Sequence, residues 1–247
     1  MADHKVAVIN VGSNTSHGSL RSPLFSDGTF EFVPIPDDQV EGLPTYADFK
    51  PQGNRAGSEF IPQSFLSRTM HDDPEFVSNT YGDHPETVPR AMNLKKLNKR
   101  DSLFYLARLV EWDEQKGWGR GSFYLVGELV LDRVVKKSDL ETNSQLVEIA
   151  KNSVHVKRWL AKPDLGHDNF WVFVGSGESR RFTRAVPFGL EIAQKVMLSS
   201  RGTVIVRDEG ETENQVIGSY ARACRLIEDS ARIELLREHI SKHCCNQ

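Results

Sequence analysis

Two long apolar segments, Asp101–Trp112 (DSLFYLARLVEW) and Ser122–Val135 (SFYLVGELVLDRVV), flank a polar stretch, residues 113–121, that carries Gly117, Gly119 and Gly121. Both are rich in the β-branched, aromatic and leucine side chains that suit a pleated, half-buried surface, so both are predicted as strands. A short glycine-rich connection joins neighbouring strands in the antiparallel sense, because a parallel return needs a much longer crossover. The pair reads as one long hairpin, and the rest of the chain must be built around it.

Lys5–Val11 (KVAVINV) is a short, buried strand that opens into a polar loop from Gly12 to Ser19. Asp27-Gly28 marks a turn, and Thr29–Ile35 alternates as a strand that Pro34 and Pro36 confine to an edge or an end. Residues 36–69 are dense in Pro, Gly, Gln, Asn and Ser, yet Tyr46, Phe49, Phe60 and Phe65 recur as apolar anchors, the pattern of an ordered lid or binding loop. Pro89–Leu97 fits one or two helical turns. Leu140–Lys151, with Ser138 or Asp139 as N-cap, and Ser153–Leu160 are predicted as helices, and Asp168–Gly175 (DNFWVFVG) as a buried strand. From Gln215 to His243 the positions Ile217, Ala221, Cys224, Ile227, Ala231, Ile233, Leu236 and Ile240 recur every three or four residues, which predicts an amphipathic helix or helix pair packed on the sheet. Strands in the middle with helices late and at the edges predict a single α+β domain over residues 1–247. Its sheet is expected to be strongly curved and mostly antiparallel, or a partial barrel, with flanking helices.

Composition excludes some classes of function. A formal charge of -3 provides no global field for polyanions, so contact with nucleic acid would need local basic patches. Cys224, Cys244 and Cys245 form no CxxC pair or zinc spacing, and a reduced, cytoplasmic protein is the simplest reading. The N-terminus lacks the pattern of a signal peptide, and no apolar run approaches the ~18 residues of a membrane span.

Chemistry-bearing side chains concentrate in His71-Asp72-Asp73-Pro74-Glu75-Phe76 and Thr80-Tyr81-Gly82-Asp83-His84, a segment that its Pro and Gly content marks as loop. If successive side chains diverge, His71 and Asp73 face one site and Asp72 faces away. His71, Asp73 and Asp83 are the candidate catalytic residues, as general acid or base. With His84 they are also candidate ligands for a divalent metal, the one cofactor this donor set suggests. The same residues can instead cap turns around Pro74 and Gly82. Ser13 and Asn14 in the first polar loop, and Ser176, Ser179, Arg180 and Arg181 after the strand at Gly175, can present backbone N–H groups and guanidinium forks to a phosphate. Trp118, between glycines in a polar loop, can stack on a base, and Tyr81 joins the candidate binding residues.

The motifs Asn10-Val11-Gly12-Ser13-Asn14, DGTFEFVPIP at Asp27–Pro36, HDDPEF at His71–Phe76, TYGD at Thr80–Asp83, and Gly175-Ser176 with Ser179-Arg180 resemble, in this order, the nucleotide modification associated domain 3 family. The resemblance spans nearly the whole chain and implies a place in the DNA base-modification systems of bacteria, archaea and phages, with a nucleobase, nucleotide or DNA as partner. Leu97–Tyr105 (LNKRDSLFY) followed by Phe123–Leu129 (FYLVGEL) is similar to PUA-like modules such as EVE and ASCH, with Arg100 where a glycine is usual. That likeness implies a curved barrel with a pocket for a flipped or free base. The combined expectation is recognition or processing of a nucleobase or nucleotide by an acid and imidazole pocket, faced by the His71–His84 segment and the Gly175–Arg184 turn. A metal-dependent hydrolase or nuclease, and a non-enzymatic interaction module docking through its C-terminal helix, stay open beside it.

Overall fold

The computed structural model describes residues 4–37, 43–52, 57–163, 169–198 and 202–244. In chain order the elements are β1 (Val6–Val11), β2 (Ser22–Leu24), β3 (Ile35–Pro36), β4 (Met70–His71), β5 (Thr80–Asp83), β6 (Ser102–Asp113) and β7 (Gly117–Lys136). There follow α1 (Lys137–Thr142), α2 (Ser144–Ala150), α3 (Val154–Ala161), β8 (Trp171–Gly175), β9 (Arg180–Pro187), α4 (Leu190–Val196), α5 (Glu213–Tyr220), β10 (Arg225–Ile227) and α6 (Ser230–Cys244). Short 3₁₀ turns, the longest at Pro89–Lys96, connect several of them.

The hairpin expected from the sequence is the spine of the molecule. Its arms β6 and β7 pair antiparallel from Ser102↔Val130 to Asp113↔Gly117, with register shifts between Tyr105 and Leu106 and between Val110 and Trp112. Such bulges bend a strand and increase its twist, and the sheet is a strongly curled half-barrel within a single α+β domain. The sheet runs in the order β10-β1-β6-β7-β8-β5, with β2 also on β6 and β9 also on β7. It is mixed, because β1 and β2 run parallel to β6, whereas the other described ladders are antiparallel.

Alternation along β1 and β6 sorts side chains to two faces. Val6, Val8, Phe104 and Leu106 meet α4, α5 and α6 in one core cluster, whereas Ala7, Ile9, Leu103, Tyr105 and Leu109 fill the concave side with Tyr81, Leu94 and Phe173. A third cluster anchors the described parts of residues 43–70: Tyr46, Phe60, Phe65 and Met70 pack on Leu20 and Val33. Three of the four expected anchors are thus core, and Phe49 packs beside them. The helices α1 to α3 cover β8 through Leu140, Ala150, Val156 and Val172.

The structure redraws several elements. Thr29–Ile35 is not a continuous strand: Phe30 bridges Leu24 and Ile35–Pro36 pairs with Met70–His71, since prolines lack the N–H a ladder needs. The His71–His84 segment is not all loop, because Met70–His71 and Thr80–Asp83 are strands and β5 is buried on β8. Leu140–Lys151 is broken at Asn143, whose carboxamide oxygen accepts from the backbone N–H groups of Gln145 and Leu146 and starts α2 afresh. The N-cap of α1 is Lys136 rather than Ser138 or Asp139; Asp139 lies at the third helical position and accepts from the Lys136 N–H at 2.9 Å. The turn after Gly175 is short, since β8 and β9 lie end to end along β7, pairing at Leu131↔Gly175 and Glu128↔Arg180. The C-terminal helical segment is a helix pair interrupted by β10, which pairs antiparallel with β1. Asp168, Cys245 and residues 38–42 and 53–56 of the long loop lie outside the described residues. No helix among the described residues is long and apolar enough to cross a membrane.

Candidate active site

The curl of the sheet gathers distant parts of the chain around one cleft of about 930 Å³. Its walls come from the end of β1 and the loop to His17, from Ile35–Asp37, from His71 and Asp73, and from β5 with His84 and Arg90. His155 and Arg158 of α3, Phe170, and residues 221–224 between α5 and β10 complete it.

At its floor stand His71, Asp73 and His155. Asp73 is 8 % exposed and His155 6 %. The Asp73 Oδ2 atom lies 3.9 Å from His71 Nε2 and 3.6 Å from His155 Nε2. The Gly82 backbone N–H reaches both Asp73 oxygens, at 3.0 and 3.1 Å. On the other side of the ring, His71 Nδ1 is 3.1 Å from Asp37 Oδ2, which also meets the Arg158 guanidinium at 3.4 Å. Asp83 accepts from the Tyr81 hydroxyl at 2.8 Å and from the His84 N–H at 2.8 Å.

Local sequence explains the assembly. In β5 the side chains alternate, so Tyr81 and Asp83 share a face and Gly82 turns toward α3. A Cβ on Gly82 would stand 2.1 Å from His155 Cδ2, so only glycine lets that imidazole sit against the strand. The His155 ring packs edge-on against both His71 and His84, with centroids 5.0 and 5.1 Å apart.

Burial sets the protonation states. It pushes the Asp73 carboxyl well above its ordinary range; the Gly82 N–H opposes this, and nearby Asp83, Asp72 and Glu75 reinforce it. Burial, then the proximity of His71, His84 and Arg158, pushes His155 well below the usual imidazole value, so it is neutral and can offer a lone pair. Asp72 is raised to about 6, chiefly by burial and then by Glu75. Cys224, on the cleft wall, has its thiol pushed up to about 12 by burial and then by Asp83, so it stays protonated and is no nucleophile.

Of the residues singled out from sequence, His71, Asp73, Tyr81, Asp83, His84 and Asn14 line this cleft. Asn14 also borders a smaller cavity of about 250 Å³ with Ser13, Arg21 and Arg108, and Ser13 meets the Ser22 hydroxyl at 3.3 Å. The others stand elsewhere. Trp118 packs on Trp112 with centroids 4.7 Å apart, under the Arg21 guanidinium. The Ser176 hydroxyl accepts from the Glu178 N–H at 3.2 Å, and the Ser179 hydroxyl from the Val130 N–H at 3.0 Å. Arg180 reaches Glu128 at 4.0 Å. Arg181 is mostly buried, donating to the Phe30 carbonyl at 2.6 Å and pairing with Glu31 and Gln52. Sequence reasoning missed Asp37, Arg90, Arg222 and, above all, His155 and Arg158. The available signal was their spacing of three on a predicted helix, which puts a histidine and an arginine on one face.

His71, Asp73 and His155 each offer a donor atom, all within 4.8 Å of one another, and among the described residues they form the group suited to a metal ion. The sequence model of the nucleotide modification associated domain 3 family matches residues 5–195. The chain belongs to this family. In this nucleotide modification associated domain, the match covers the floor triad and Asp37, and only residues 221–224 of the cleft lie beyond it. No curated protein and no solved structure matches the chain.

Proposed function

We propose that this domain binds a nucleotide or nucleobase of a DNA base-modification system in the cleft and processes it with the acid and imidazole groups at its floor. Membership of the family supports a role in such a system. The observation that carries the reading is the division of the cleft. Exposed Arg90 and Arg222 stand on its walls together with buried Asp73, Asp83 and His155, so a cationic region suited to phosphate adjoins groups suited to proton transfer at a base or sugar. The volume lies in the range of pockets that enclose small organic ligands.

The test is a thermal-shift and calorimetric screen of the wild type, the His71→Ala/Asp73→Ala double variant and Arg90→Ala/Arg222→Ala. The panel holds free nucleotides and oligonucleotides with unmodified and modified bases. A ligand at ~100 times its dissociation constant adds about 2.7 kcal/mol of stability, a readily measured shift. The expected result is stabilisation of the wild type by one class of nucleotide, lost in the arginine variant. Stabilisation unchanged in both variants, or absent throughout the panel, rejects the reading.

A further inference from the structure

The geometry points to a divalent transition-metal site at the floor of the cleft, ligated by His71 Nε2, Asp73 and His155 Nε2. Ligands that each stand about 2.1 Å from one ion are separated from one another by about 3–4 Å. Separations of 3.9 and 3.6 Å from Asp73 Oδ2 to the two imidazole nitrogens match that spacing.

The surroundings are those of metal ligands rather than of a chance cluster. A ligating histidine characteristically gives its other ring nitrogen to a carboxylate, which fixes the tautomer. Asp37 takes Nδ1 of His71 in this way at 3.1 Å, leaving Nε2 to carry the lone pair toward Asp73 and His155, while Arg158 holds Asp37 at 3.4 Å. Gly82 orients Asp73 through its N–H and makes room for the His155 ring.

Two imidazoles and one carboxylate suit zinc, manganese, iron or cobalt in the divalent state, whereas magnesium and calcium prefer oxygen throughout. Three protein ligands leave coordination positions open toward the cleft. In its role, though not in its existence, the site rests on the nucleotide reading: a nucleotide oxygen would complete the coordination.

The experiment titrates metal-stripped, full-length protein with Co(II), followed by visible absorption and calorimetry, with Zn(II) as competitor and Mg(II) as comparison. His239 and His243 on α6, with ring centroids 4.4 Å apart, are the competing surface pair, and His239→Ala removes it. Stoichiometric Co(II) binding is expected, displaced by Zn(II) and not by Mg(II). It is lost in His71→Ala and Asp73→Asn, weakened about 10–100-fold in Asp37→Asn, and unchanged in His239→Ala. His155→Gln joins the set, with circular dichroism confirming that each variant is folded. Binding lost in His239→Ala but kept in His71→Ala overturns the site, as does no stoichiometric binding by the folded wild type. Running the nucleotide panel with and without Zn(II) separates the two ideas. Nucleotide stabilisation without any Co(II) binding removes the metal site alone, and Co(II) binding without a nucleotide response confirms the site and removes the nucleotide reading.

Discussion

At the residue scale, glycine and its absence mark two positions. Gly82 is held by the 2.1 Å approach that a Cβ would make to His155 Cδ2, so Gly82→Ala must displace the imidazole or the strand. Overpacking of this kind costs about 1–3 kcal/mol, and urea denaturation of Gly82→Ala is expected to show a loss in that range; an unchanged midpoint would mean that α3 moves away freely. Arg100 is the opposite case. Its φ is 75°, a left-handed conformation disfavoured for residues with a Cβ, and its N–H donates to the Leu131 carbonyl at 2.7 Å. A glycine in this position would adopt that conformation without a Cβ penalty. Arg100→Gly is expected to stabilise the protein by about 0.5–1 kcal/mol, because the relief of strain exceeds the added freedom of the unfolded chain. Equal or lower stability on chemical denaturation would contradict this. The acid and imidazole residues were legible one by one, but their grouping was not: His71 and Asp73 lie close in sequence, whereas His155 reaches them only because α3 packs on β5.

At the element scale, burial on two faces separates what was readable from what was not. The arms β6 and β7 are apolar on both faces because helices cover one and the concave core the other, so they stood out as near-continuous apolar runs. By contrast β4, β5 and β10 are two to four residues long and leave no periodicity to detect. The break between α1 and α2 depends on one side chain. Asn143 supplies the cap of α2, so Asn143→Ala is expected to lose about 1 kcal/mol in a denaturant titration. No loss would mean that α2 is held by Leu146 and Val147 against the core rather than by its cap.

At the scale of the whole molecule, the segment after residue 195 completes both core and cleft. The family match ends at residue 195, yet Val216, Ile217, Ile227, Ile233, Leu236 and Ile240 lie in the same core cluster as Val8 and Phe104. Arg237 of α6 also reaches inward, with Nη1 3.3 Å from Glu128 and Nη2 3.1 Å from the Ser102 hydroxyl. A chain ending at residue 195 is therefore expected to lose its cooperative unfolding transition, and a sharp calorimetric transition in that fragment would show that the matched region folds alone. The sequence by itself determined the hairpin, the α+β class and the family, because each is written in local pattern or motif order. Only the tertiary structure decided that β1 runs parallel to β6, that Trp118 stacks on Trp112 and Arg181 pairs with Glu31 away from the cleft, and that His155 and Asp37 join His71 and Asp73. Those outcomes depend on the curl of the sheet and the docking of helices upon it, which bring together residues whose separation along the chain carries no local signal.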